Sequence, residues 1–79
     1  MSFNQLDIIT VPTKSSPKLG QLMEYLKGIE HECRRTINKY GIAIVEMKIY
    51  DKWHIIYDWV WSPMNNLTYV YYFKEGSEE

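Results

Sequence analysis

The stretch from Ile42 to Trp61, IAIVEMKIYDKWHIIYDWVW, limits what this chain can fold into more than any other. In its first part the alternate positions Ala43, Val45, Met47 and Ile49 are wholly apolar, while Ile42, Ile44, Glu46 and Lys48 are mixed. A period of two with one apolar parity is the pattern of a half-buried strand. Tyr50-Asp51-Lys52 interrupts with polar turn chemistry. In the second part Trp53, Ile55, Tyr57, Trp59 and Trp61 share one parity, and His54, Ile56, Asp58 and Val60 share the other. β-branched and aromatic side chains of this kind suit a pleated surface. The two parts predict a β-hairpin that holds all three tryptophans.

Register decides which residues share a face, because a slip of one residue turns every side chain over. A loop of Tyr50 to Lys52 sets Ile49 opposite Trp53, Met47 opposite Ile55, Val45 opposite Tyr57 and Ala43 opposite Trp59. That joins the apolar parity to the aromatic one and the smallest residue to the largest. An even loop would set the tryptophans beside Glu46 and Lys48. The odd loop is the expectation, although no Gly or Asn marks the turn.

The rest of the chain is read around this hairpin. Within an N-terminal arm, residues 1–15, Leu6 to Val11 is β-like and ends at Pro12, as an edge strand would. Ser16-Pro17 is a good helix start. Apolar residues then recur at Leu19, Leu22, Met23, Leu26, Ile29, Cys33, Ile37 and Tyr40. This helical stripe is backed by Glu24, Lys27, Glu30, Glu32, Arg34, Arg35 and Lys39, with Gly41 as a stop. The spacing predicts one long helix, on the order of 35 Å. After a second turn, Leu67 to Lys74 alternates again, and a five-residue loop sets Trp61 opposite Leu67, Trp59 opposite Tyr69 and Tyr57 opposite Tyr71. Glu75 to Glu79 reads as a frayed acidic tail.

The expected fold is therefore a single α+β domain over residues 1–79. One long amphipathic helix packs on a three- to four-stranded antiparallel meander sheet, βαβββ or αβββ. Trp53 and Trp59 are expected beneath the helix. The other face, with Ile42, Ile44, Ile56, Asp58, Val60, Val70 and Tyr72, is expected to be free, and it is too apolar for a plain solvated surface.

Charge and cysteine content narrow the function classes. A formal net charge of −1 argues against a dedicated duplex-DNA binder. One cysteine allows no intramolecular disulfide and no cysteine-based zinc site. The start of the chain lacks a basic segment followed by an apolar run, and no stretch is apolar enough to span a membrane, so a cytoplasmic protein is expected. Asn66-Leu67-Thr68 matches a glycosylation pattern that carries no weight in that compartment.

Few residues carry chemistry. Cys33 lies on the apolar stripe and reads as a structural thiol. His31 beside Glu30 and Glu32 has neighbours pointing in other directions, which is no chelating set. Asp58 between Tyr57 and Trp59 is the oddest charge, suited to a basic partner group, or simply to an edge-exposed position or a hydrogen bond to a tyrosine. No phosphate loop, nucleophile elbow or carboxylate pair is visible, so no catalytic residue, cofactor or metal is expected. Arg34, Arg35, Lys39, Lys48 and Lys52, with tyrosines and tryptophans on strands, would suit a stacking platform for single-stranded nucleic acid.

The leading expectation is a small non-enzymatic interaction protein. It would form a homodimer through Ile42, Ile44, Ile56, Val60 and Tyr72, or bind another protein in the manner of a phage or mobile-element inhibitor or accessory protein. Single-stranded nucleic-acid binding is the alternative, and a small ligand carrier or enzyme the third.

Overall fold

The computed structural model describes residues 5–76. It is an α+β domain in the order β1 (Leu6–Pro12), α1 (Leu19–Gly28), β2 (Cys33–Ile37), β3 (Ala43–Ile49), β4 (Lys52–Ser62) and β5 (Leu67–Phe73). The strands form one five-stranded sheet, β1-β5-β4-β3-β2. Every pairing is antiparallel. β2 to β5 run as a meander, and β1 closes onto β5, so β1 and β2 hold opposite edges. The helix carries the chain from one edge to the other over one face.

The long helix is not observed. α1 has ten residues, about 15 Å at the helical rise. Its end is a Schellman motif: His31 N–H donates to Leu26 O at 2.8 Å and Glu30 N–H to Lys27 O at 3.0 Å. Glu30 takes the left-handed conformation, φ 69°. Gly28 propagates a helix poorly, and the next residues gain more as a strand. Cys33, Arg34, Arg35, Thr36 and Ile37 pair with Met47, Glu46, Val45, Ile44 and Ala43. The start also shifts. Lys18 is the N-cap, its N–H donates to the Gln21 side chain at 3.0 Å, and Pro17 is buried ahead of the helix.

Both hairpin registers differ from expectation by one residue. Ile49 pairs with Lys52, Lys48 with Trp53, Met47 with His54 and Glu46 with Ile55. The connecting loop is therefore Tyr50-Asp51, with φ of 55° and 87°. Two successive left-handed residues are what a type I′ turn demands, and that turn matches the natural strand twist. At the next hairpin Ser62 pairs with Leu67, Trp61 with Thr68 and Trp59 with Val70. Ser62 O accepts from Asn65 and Asn66 N–H at 3.3 and 2.9 Å, and Asn66 takes φ 53°.

Between the hairpins, β4 carries a β-bulge. Ile56 pairs with Tyr72 and Asp58 with Tyr71, so Tyr57 is the extra residue. One extra residue reverses the strand's parity. His54 and Ile56 before it, and Trp59 and Trp61 after it, share the helix side. Trp53, Ile55, Tyr57, Asp58 and Val60 share the other.

The core lies under α1. Val11, Leu22, Leu26, Met47, Val70 and Tyr72 are buried, with Ile9, Cys33, Ile49, Ile56 and Trp59 packed against them. Trp59 donates its indole N–H to Pro17 O at 2.9 Å and ties the β1–α1 loop to the sheet. A buried Thr13–Thr68 hydroxyl pair at 2.7 Å fixes the same corner. Of the two tryptophans expected beneath the helix, Trp59 is there and Trp53 is on the opposite face. Of the acidic tail, residues 77–79 lie outside the described residues, as do residues 1–4 of the N-terminal arm.

Candidate functional site: the open face of the sheet

Among the described residues, no helix covers one face of the sheet. Directly paired residues share a face, so its composition follows from the register. Pro12, Leu67 and Ser62 form one row; Thr10, Tyr69 and Val60 the next; Ile8, Tyr71 and Asp58 the third. Leu6 and Phe73 follow, then Ile55, Glu46 and Arg34, and finally Trp53 and Lys48. Thr36 and Ile44 flank the β2–β3 end. The face is thus apolar and aromatic across most of its width. Ile8, Tyr57 and Val60 stand out from it, exposed by 46%, 61% and 52%. Tyr57 meets Phe73 edge to face, with ring centroids 5.8 Å apart, a favourable aromatic geometry.

Its charges are few. Glu46 is only 2% exposed although no helix of the described residues covers it. Arg34 supplies the explanation: its Nε–H donates to Glu46 Oε1 at 2.8 Å while its guanidinium lies 4.1 Å over the Trp53 ring. Arg34, Trp53 and Glu46 are therefore one stacked unit, with the carboxylate at its base. Lys48 approaches the same ring, Nζ at 5.7 Å. Two rows from Glu46, toward the middle of the face, Asp58 is exposed, with Oδ1 accepting the Trp59 N–H at 2.8 Å.

The residues expected to form the interface separate into three groups. Ile44, Asp58 and Val60 are on the open face. Ile56, Val70 and Tyr72 are in the core and unavailable to a partner, because the shortened loops and the bulge turn them beneath the helix. Ile42 is exposed but belongs to the β2–β3 turn rather than to a strand. There Asn38 Oδ1 accepts both the Tyr40 and Ile42 N–H groups, at 2.9 and 3.0 Å. Ile8, Tyr57, Tyr69, Tyr71 and Phe73 were not expected on the free face. The left-handed tolerance of Asn66, which permits the four-residue loop, was the available signal.

The basic residues do not converge. Arg34 and Lys48 flank Trp53 on the open face. Arg35 pairs with Val45, on the helix side of the edge strand. Lys39 sits in the β2–β3 turn, its Nζ 5.4 Å from the Tyr40 ring. Lys52 lines a cleft on the helix side. Among the described residues they form no continuous positive groove, which is what tracking a phosphate backbone requires.

That cleft, about 590 Å³, opens where the short helix leaves the sheet uncovered and is lined by Asp7, Tyr50, Lys52, His54, Tyr72 and Lys74, among others. Its neighbour of about 430 Å³ shares Ile49, Tyr50 and Tyr72. His54 donates through Nδ1 to Phe73 O at 2.7 Å, since a carbonyl can only accept. The Tyr72 ring meets it edge-on at 5.2 Å. Burial raises the Tyr72 hydroxyl above its ordinary pKa, and the Asp7 charge adds to this. These groups are spent on holding β1, β4 and β5 together. Cys33 is half-buried, and burial with the Glu32 charge pushes its thiol up to about 11. A thiol so shifted is a poor nucleophile at neutral pH. Among the described residues no group of three or more His, Cys, Asp or Glu could hold a metal ion, and no helix is long and apolar enough to cross a membrane.

No family model, no curated protein and no solved structure matches this chain.

Proposed function

We propose that this is a non-enzymatic interaction module that binds protein through the open face of its sheet. The observation that carries the reading is that face itself. It is a continuous apolar and aromatic surface on which the most deeply placed charge, Glu46, is already neutralised by Arg34. A surface of this composition is costly to leave in water, and contiguous patches of this kind mark protein contacts. Its aromatic content resembles interface cores, where Tyr, Trp and Phe are enriched and charges depleted. The scatter of the basic residues weighs against single-stranded nucleic acid. An accessory protein of a phage or mobile element that captures a host protein would use the same face.

A photoreactive phenylalanine analogue tests this when placed at Val60, on the open face, or at Glu24, an exposed helix position. In cells that make the protein, irradiation should give discrete cross-linked protein products from position 60 and not from 24. Equal products from both positions, or none from 60, would refute the reading.

A further inference from the structure

We infer that the outer edge of β2 takes up an extended strand of another protein, antiparallel to β2, with an acidic side chain opposite Arg35 and a basic one opposite Cys33. Read along the partner, that is a Glu-x-Lys segment. This surface is distinct from the open face and does not rest on the reading of that face. The first ground is backbone hydrogen bonding. β2 is an edge strand. Glu32 O accepts the Lys48 N–H at 2.8 Å, and Asn38 N–H donates to Ile42 O at 2.9 Å. Bonded and non-bonded pairs alternate along an antiparallel ladder, so Arg34 and Thr36 bond β3. The N–H and C=O groups of Cys33, Arg35 and Ile37 point outward, and among the described residues they have no other partner. The opposite edge is guarded. Lys74 N–H donates to Gln5 O at 2.9 Å, so the outward residues of β1 are Leu6, Ile8, Thr10 and Pro12. Asp7 Oδ1 takes the Ile8 N–H at 2.8 Å, and Pro12 has no N–H to give. Such devices close an edge to pairing. The backbone of β2 carries neither.

β2 is guarded by charge alone, and charge discriminates among strands. Arg34 and Arg35 are its charged residues. Arg34 is turned to the open face and holds Glu46. Arg35 is exposed on the helix side, with no ion-pair partner among the described residues. Antiparallel pairing with a second copy, in the register of fullest overlap, sets the Arg35 of one copy directly against the Arg35 of the other. Like charges so placed are destabilising, whereas a carboxylate opposite Arg35 is favourable. Directly paired residues share a face, so the partner's residue opposite Cys33 also lies on the helix side. There a cavity of about 490 Å³ is lined by Met23, Glu24, Lys27, Glu30, Glu32 and Cys33. Three carboxylates against one ammonium favour a basic side chain, with its alkyl stem along Met23 and Cys33. Ile37, 67% exposed, offers apolar surface to the residue opposite it. Main-chain bonds thus supply affinity and alternate side chains supply selectivity, as in strand addition generally.

The probe is a synthetic peptide, acetyl-Thr-Val-Thr-Glu-Thr-Lys-Thr-amide, titrated into the isotope-labelled chain and followed by amide NMR shifts. The Cys33, Arg35 and Ile37 amides should move downfield as their N–H groups become bonded. The Leu6 and Thr10 amides, on the other edge, should stay. The same peptide with Lys in place of Glu should bind at least about fivefold more weakly. Arg35→Glu, an exposed substitution, should reverse that preference. Ile37→Pro removes one outward donor where an edge strand tolerates proline; it should weaken the Glu peptide about fivefold while urea titration shows the chain folded. No shift at millimolar peptide overturns the inference, as does equal binding of the two peptides or an unreversed preference in Arg35→Glu. Shifts confined to Ile8, Val60 and Tyr71 overturn it and leave the open-face reading standing. Concentration-dependent shifts of Cys33, Arg35 and Ile37 in the chain alone would make a second copy the occupant, and overturn it too.

Discussion

Replacing Arg34 by Met should destabilise the fold by about 3 kcal/mol, a large effect for an edge-strand residue. Glu46 is 2% exposed, and its carboxylate accepts Arg34 Nε–H at 2.8 Å. Breaking a buried pair by removing one partner costs roughly 3–5 kcal/mol, because the other charge stays buried without compensation. Arg34 is itself about one-third exposed, at 33%. Water reaches the space it leaves, which lowers that figure to roughly 2–3 kcal/mol. Loss of the guanidinium from the Trp53 face, at 4.1 Å, adds about 0.5–1 kcal/mol. A domain of 79 residues has roughly 4–12 kcal/mol in all at ordinary values per residue, so the variant should remain folded with a Tm lower by about 12–24 °C. The double variant Arg34→Met, Glu46→Met removes both charges and should lie within about 1 kcal/mol of wild type. Urea titrations followed by tryptophan fluorescence measure both. A single variant costing under about 1 kcal/mol, or a double variant no more stable than the single, would refute the account of Glu46 as a carboxylate held in place by Arg34.

Three further outcomes follow from local geometry. Tyr50→Asn with Asp51→Gly places residues that tolerate φ > 0 in the turn where φ is 55° and 87°, and should raise stability by about 1–2 kcal/mol in a thermal melt. Cys33 should alkylate on the order of 100-fold more slowly than a free cysteine at pH 8, and its rate should keep climbing toward pH 11, since its thiol is raised to about 11; the folded state binds that proton more tightly than the unfolded one, so stability should fall, not rise, as pH passes from 9 to 11. Trp59→Phe abandons the bond to Pro17 O, whereas Trp61 Nε1 is buried with no hydrogen-bond partner among the described residues, so chemical denaturation should find Trp61→Phe the milder by about 1 kcal/mol or more.

The parts of this structure that could be read from the sequence are those set by local alternation. The strand at Leu6 to Pro12, the two strands of the central hairpin and the strand from Leu67 all occupy their expected positions. The inward parity of Met47 is also as read, because one wholly apolar set has only one place to go. Three things could not be read. Ile29, Cys33 and Ile37 keep helical spacing, so only the pairing of Arg34 with Glu46 and Thr36 with Ile44, a tertiary matter, marks the helix as ending at Gly28. Tyr50-Asp51 is an unlikely type I′ turn by residue type, and its strain is tolerated because the flanking pairs over-determine it. The extra residue at Tyr57 leaves no trace in composition.

That extra residue decides which side of the sheet is available. α1 brings only Leu22 and Leu26 into the core as fully buried residues, too little for a five-stranded sheet. The sheet must fill the remainder with its own large side chains, and Trp59, Tyr72 and Ile56 pack there. A β4 of constant parity could not supply both Ile56 and Trp59 to one face. The bulge permits it, and by the same step places Trp53, Ile55, Tyr57, Asp58 and Val60 together on the other. Core packing accounts for the first set of aromatics. It does not account for Tyr57, Tyr69, Tyr71 and Phe73, which lie where no element of the described chain covers them. A fold that needed only solubility would carry polar residues at those positions on an antiparallel sheet with one solvated face, so the aromatic surplus is the physical ground on which we propose that this face meets a partner.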